Sequence, residues 1–161
     1  MNLPCRELVP LIQIALEGGA RVRFTATGSS MVPFLRNGEV VELERVPAKA
    51  LRAGDVVLAR KENDTYVLHR IRKLRTGEAL VASDGGQEDG WIPLEDIVAR
   101  ARAVQRKGRW LRLDTAWART AGLAWNHIRF VGWPLLRMAL RLRERAALRR
   151  TAAAELDDRP A

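Results

Sequence analysis

Between Val22 and Gln105 every apolar run is short and is soon broken by a turn signal, and this punctuation limits the fold more than any other feature of the sequence. Val22, Phe24 and Ala26 alternate with Arg21, Arg23 and Thr25, the pattern of a half-buried strand. Val40-Val41-Glu42-Leu43, Val56-Val57-Leu58-Ala59, Tyr66 to Ile71, Ala79 to Ala82 and Ile97 to Gln105 read as further strands, with Trp110 to Leu113 as one more. Gly54-Asp55, Asn63-Asp64 and Thr76-Gly77 supply turns between them, and Ser83 to Gly90 reads as a polar, glycine-rich loop. Short strands with a turn every ten or so residues predict a mainly β domain, built as a barrel or a coiled sheet.

Helical grammar flanks this region. Leu8, Leu11, Ile12 and Ala15 recur at helical spacing within Arg6 to Glu17, and Gly18-Gly19 supplies a stop. After Asp114 turn residues thin out and the period becomes helical to about Arg150. The expected organisation is a β domain with its N-terminal helix over 1–113, an amphipathic helical extension over 114–150 and a polar tail over 151–161. In the extension Trp117, Ala121, Ala124, Ile128, Val131, Leu135, Met138 and Leu142 fall on one face, with Arg119, Asn126, Arg137 and Arg141 roughly opposite. Such a helix either lies on an anionic membrane surface through 117–142 or packs on the β domain.

Charge and cysteine content narrow the classes. The formal net charge is +9, from 28 Lys+Arg against 19 Asp+Glu, which suits anionic partners. No helix-turn-helix or zinc pattern supports nucleic acid, which is not an expected partner. One cysteine, Cys5, makes neither an internal disulfide nor a thiolate metal site, and two separated histidines make no metal set. No metal or cofactor is expected. The chain shows no secretory leader pattern and no apolar span of about 18 residues, so the expected location is the cytoplasm, peripheral at a membrane.

The chemistry concentrates in two places. Ser30 lies in the turn-rich Thr27-Gly28-Ser29-Ser30-Met31-Val32-Pro33, where Gly28 allows close approach to a substrate and Pro33 stiffens the exit. Its backbone N–H is a candidate oxyanion donor. A serine hydroxyl needs a base, and His69, between Val67 and Ile71 on one strand face, is the candidate. His127 sits among Trp125 and Phe130 and reads as an interfacial or surface residue. Lys73, on the same face as His69 if the strand continues, is a rival base.

The ordered set Gly28-x-Ser30-Met31-x-Pro33, Gly38-Glu39-Val40-Val41, Gly54-Asp55-Val56-Val57, His69-Arg70-Ile71 and an acidic loop from Asp84 to Asp89 resembles the signal peptidase I superfamily, which also contains the self-cleaving SOS-response repressors. The resemblance runs from about Phe24 to Val104. It implies a coiled, mainly β peptidase fold, Ser30 as nucleophile with Ser29 as its neighbour, and substrate contacts at Gly28, Ser29, Met31 and Pro33. Histidine at position 69, where the usual bacterial branch has lysine, resembles the archaeal and endoplasmic-reticulum branch. That branch adds an acidic helper, here Asp84 or Asp89. Gly28 stands where other members keep a serine oxyanion donor. The implied activity is endoproteolysis of a leader or signal-like peptide, with a non-catalytic module binding peptides or a membrane complex as the alternative. Self-cleavage fits less well, because fewer than thirty residues precede the serine box.

Overall fold

The computed structural model describes residues 5–62 and 65–128. The chain divides into two compact units, Met1–Trp125 and Asn126–Ala161, and the architecture below is that of the first. Helix α1 (Cys5–Glu17) precedes β1 (Val22–Thr25), β2 (Val40–Glu44), β3 (Val56–Arg60), β4 (Tyr66–Arg75), β5 (Glu78–Ala82), β6 (Glu88–Pro93), β7 (Ile97–Arg106) and β8 (Arg109–Arg112). Residues 116–128 are helical and form α2. The strands make one antiparallel sheet in the order β1-β2-β7-β3-β4-β5-β6, with β8 paired to β7. Among the described residues the sheet is open: β1 and β6 end the path, so no barrel closes.

β3 lies between two cores. Its run Val56-Val57-Leu58-Ala59 is buried throughout, yet alternate residues must point to opposite faces. Val56 and Leu58 join one core with Val9, Ile12 and Leu16 of α1, Met31, Leu35, Val41 and Leu43. Val57 and Ala59 join a second core with Leu51, Ile71, Ala79, Val81 and Ile92. Both faces of the central strand are therefore covered, which a continuous apolar run requires. Register shifts at Glu42/Leu43, Leu58/Ala59, Ile71/Lys73 and Val81/Ala82 bend the strands around those cores.

Three elements differ from the sequence reading. α1 buries Val9, Ile12 and Leu16, while Leu11 and Ile14 are exposed, so its core face is rotated from the one the spacing suggests. β4 continues to Arg75. The segment read as a loop to Gly90 contains the start of β6, which pairs with β5 from Glu78↔Pro93 to Ala82↔Glu88. Its polar composition hides a strand whose one buried apolar side chain is Ile92.

The first turns of α2 pack on the sheet by their polar side. Arg119 Nη1 donates to Asp55 Oδ1 (3.3 Å) and to the Asp114 carbonyl (2.9 Å). A Cβ on Gly122 would lie 2.2 Å from Arg70 Cζ, and one on Gly54 2.6 Å from Arg119 Cβ, so two glycines set the approach. Trp117, expected on the apolar face, is 80% exposed, and Arg119, expected opposite, faces the β domain. The buried carboxylate of Asp55 takes the Arg119 guanidinium beside that of Arg100 at 3.8 Å, which puts a polar side of α2 on the domain. The rest of the amphipathic segment, 129–142, and the tail lie outside the described residues, and among the described residues no helix is long and apolar enough to cross a membrane.

Ion pairs line the β2–β7 side of the sheet, and they give stability a pH dependence. Arg106 bonds Glu39 and holds its carboxyl below the usual range despite partial burial. Burial pushes the Glu42 carboxyl up, but bonds from Arg23 and Arg102 outweigh this and lower it. Arg112 likewise lowers Asp114. Each group binds its proton less tightly folded than unfolded. Their contribution is complete above the ordinary carboxylate range of about 3.9–4.3 and is lost as pH falls through the folded values. The melting temperature is expected to drop steeply below about pH 4, and less steeply in Glu42→Gln. A curve flat from pH 5 to 3 would contradict this assignment.

Candidate active site

The loop between β1 and β2 carries Ser30, and its two ends are tied. Ala26 donates to the Glu39 carbonyl (2.8 Å) and Gly38 to the Ala26 carbonyl (2.9 Å). Gly28 has φ of 91°, a conformation that favours glycine, and its N–H donates to Asn37 Oδ1 (3.0 Å). Met31 and Leu35 sink into the first core and pin the turn, leaving Ser29 and Ser30 exposed at its crest. The Val32–Pro33 peptide is cis. The Ser30 carbonyl accepts the Gly85 N–H (2.7 Å). The Ser30 N–H has no acceptor among the described residues, which leaves it available to an incoming oxygen.

β4 brings the base. His69 Nε2 lies 3.0 Å from Ser30 Oγ, and its Nδ1 lies 2.5 Å from Asp89 Oδ2. A carboxylate only accepts hydrogen bonds, so Nδ1 carries the ring proton and Nε2 accepts from the serine hydroxyl. The imidazole is 7% exposed and the Asp89 side chain fully buried. Asp89 is also held by Lys61 Nζ at 3.1 Å. Burial would raise the Asp89 carboxyl, but hydrogen bonds and charge from His69, then Lys61, outweigh it and hold it below its ordinary range. The set is a hydroxyl, an imidazole and an ionised carboxylate in line, the arrangement that activates a serine.

The two acidic candidates part company. Asp84 does not orient the histidine: Arg70 Nε and Nη2 each donate to its carboxylate at 2.8 Å, and both nitrogens of His69 are already engaged. His69 and Arg70 are consecutive on β4 and point to opposite faces, so each takes its own carboxylate. Asp84 still bears on Ser30, since it precedes Gly85, whose N–H donates to the Ser30 carbonyl. Lys73 is exposed and lies four residues beyond His69, about 13 Å along an extended strand. The sequence reading missed Lys61, Arg70 and Gly85. Only the His69-Arg70-Ile71 box marked Arg70, and nothing local marked the other two.

A cleft of about 180 Å³ opens beside Ser30 and His69. Phe24, Leu58, Tyr66 and Leu68 supply apolar wall, with Gly28 and Met31 at the nucleophile end and Arg36 on the lining. Among the described residues, Tyr66 to His69 pair with β3 alone, since β5 pairs with β4 only from Arg70 onward, and β1 pairs only with β2. Two strand edges without a neighbour in the sheet therefore border the cleft. Comparison with protein-family models, with curated proteins and with solved structures found no match for this chain.

Proposed function

We propose that this chain is a serine endopeptidase of the signal-peptidase type that cleaves a leader or signal-like peptide. The observation that carries the reading is the line of contacts from Ser30 Oγ through His69 to Asp89, assembled from three distant parts of the sequence. A substrate enters extended, pairs its backbone with the open edge of β4 or β1, and places an apolar side chain in the cleft. Ser30 Oγ attacks the scissile carbonyl while His69 Nε2 takes the hydroxyl proton. The Ser30 N–H donates to the oxyanion, without the side-chain donor that a serine at position 28 would add. His69 then gives its proton to the leaving amine, and Asp89 stabilises the imidazolium in between. Water releases the acyl group by the same steps in reverse.

An anionic membrane surface near the exposed Trp117 belongs to the proposal as the place where such peptides are met. The open strand edges also favour a second reading, a module that holds peptides without cutting them. A fluorophosphonate probe separates the two. Enzyme chemistry predicts one covalent adduct, mapped to Ser30, that forms in Ser29→Ala but not in His69→Ala. No adduct at Ser30 would leave the binding module.

A further inference from the structure

We propose that Lys61 is a positioning residue of the site: its ammonium fixes the Asp89 carboxylate and offsets part of its charge, so limiting how strongly that carboxylate holds a proton on His69. The inference rests on the reading of Ser30, His69 and Asp89 as a working triad. The geometry is asymmetric in an informative way. Asp89 gives Oδ2 to His69 and Oδ1 to Lys61, so both oxygens of a fully buried carboxylate are committed to cationic or proton-bearing partners. Lys61 is itself placed by the β3–β4 connection, where its N–H donates to the Thr65 carbonyl at 2.8 Å. The strand pair that delivers His69 thus also delivers the group that restrains its acid.

Other charged groups around the site are differently occupied or more remote. Arg36 and Tyr66 line the cleft on the Ser30 side. Arg60, Glu62 and Asp96 line the depression beyond Asp89, where Arg60 is bonded to Asp96 at 2.6 Å and 3.0 Å. Glu88, next to Asp89 on β6, is exposed. Lys61 is therefore the cation in direct contact with Asp89 among the described residues.

A triad histidine must accept a proton from serine and then release it. A buried carboxylate beside the ring favours the imidazolium. A cation on the far oxygen opposes this. Two positive charges on opposite oxygens of one carboxylate repel across it, and solvent at the partly exposed Lys61 weakens this repulsion without removing it.

The test is a proton NMR titration of the His69 ring in the full chain, with His127→Gln removing the other histidine signal. Lys61→Met should raise the His69 midpoint above that of wild type, and Lys61→Gln, which keeps a donor and drops the charge, should raise it too. Lys61→Arg should restore the wild-type midpoint. A bond that only braces the loop predicts altered melting and no movement of the midpoint in either neutral variant, and that result would overturn the proposal. The rate of fluorophosphonate labelling at Ser30 against pH should show the same displacement of its acid limb. If Ser30 never labels, the peptidase reading fails, while the NMR midpoints still decide the role of Lys61.

Discussion

Ser30→Ala is expected to lower kcat/KM for peptide cleavage on the order of 10⁴-fold or more while leaving the melting temperature within about two degrees of wild type. The size follows from the chemistry: with no hydroxyl, no acyl intermediate forms, and the remaining donors and the cleft can only bind substrate. The small effect on folding follows from the position. Ser30 is exposed at the crest of a turn pinned by Met31, Leu35 and the bond from Gly85 to its own carbonyl, none of which uses the hydroxyl. Ser29→Ala is the control, because its side chain is equally exposed and has no place in the line of contacts. Asp89→Asn should fall between the two, by analogy with the tautomer error that an amide imposes on a triad histidine. Equal cleavage by Ser30→Ala and wild type would remove Ser30 from the mechanism.

Much of the sheet was legible because alternation and turns are local signals. β1, β2, β3, β5 and most of β4 and β7 announce themselves by period and punctuation. β6 does not. Glu88-Asp89-Gly90 looks like loop, and it becomes strand only because β5 offers a free edge and Ile92 reaches the second core. Asp89 therefore sits on a strand instead of a solvated loop, as the extra residue at the register shift between Val81↔Gly90 and Ala82↔Glu88, and its carboxylate meets His69. Spacing alone could not choose between Asp84 and Asp89, since both follow the serine and histidine boxes in order. The choice depends on the alternation of β4, which sends His69 to one face and Arg70 to the other. The inward turn of Arg119 was illegible for the same kind of reason. Helical periodicity identifies an apolar face, but it carries no sign of the Arg119–Asp55 pair, which joins residues 64 apart in the chain.

Asp84→Ala is expected to destabilise the fold by about 3–5 kcal/mol, the usual cost of leaving one member of a buried ion pair without its partner. Arg70 and Asp84 are 1% and 0% exposed, and two bonds of 2.8 Å join them. Arg70 also donates to the Gly54 carbonyl at 2.7 Å, lies over the Phe34 ring at 4.9 Å and meets Gly122 of α2. The guanidinium is thus fixed on every side and cannot turn to solvent when the carboxylate is removed. Glu78→Ala is the comparison: its partner Arg75 is largely exposed, and the loss there should stay below about 1 kcal/mol. Urea denaturation of the two variants measures the difference directly. The site should respond as well, because the Asp84 N–H reaches Met31 Sδ at 3.4 Å and the next residue, Gly85, holds the Ser30 carbonyl. At urea concentrations where Asp84→Ala is still folded, labelling at Ser30 should be slower than wild type, yet faster than in Asp89→Asn, which loses the contact to the base itself. Midpoints that agree for Asp84→Ala and Glu78→Ala would show that the buried pair carries no special weight. Labelling of Asp84→Ala slower than that of Asp89→Asn would return Asp84 to the catalytic line.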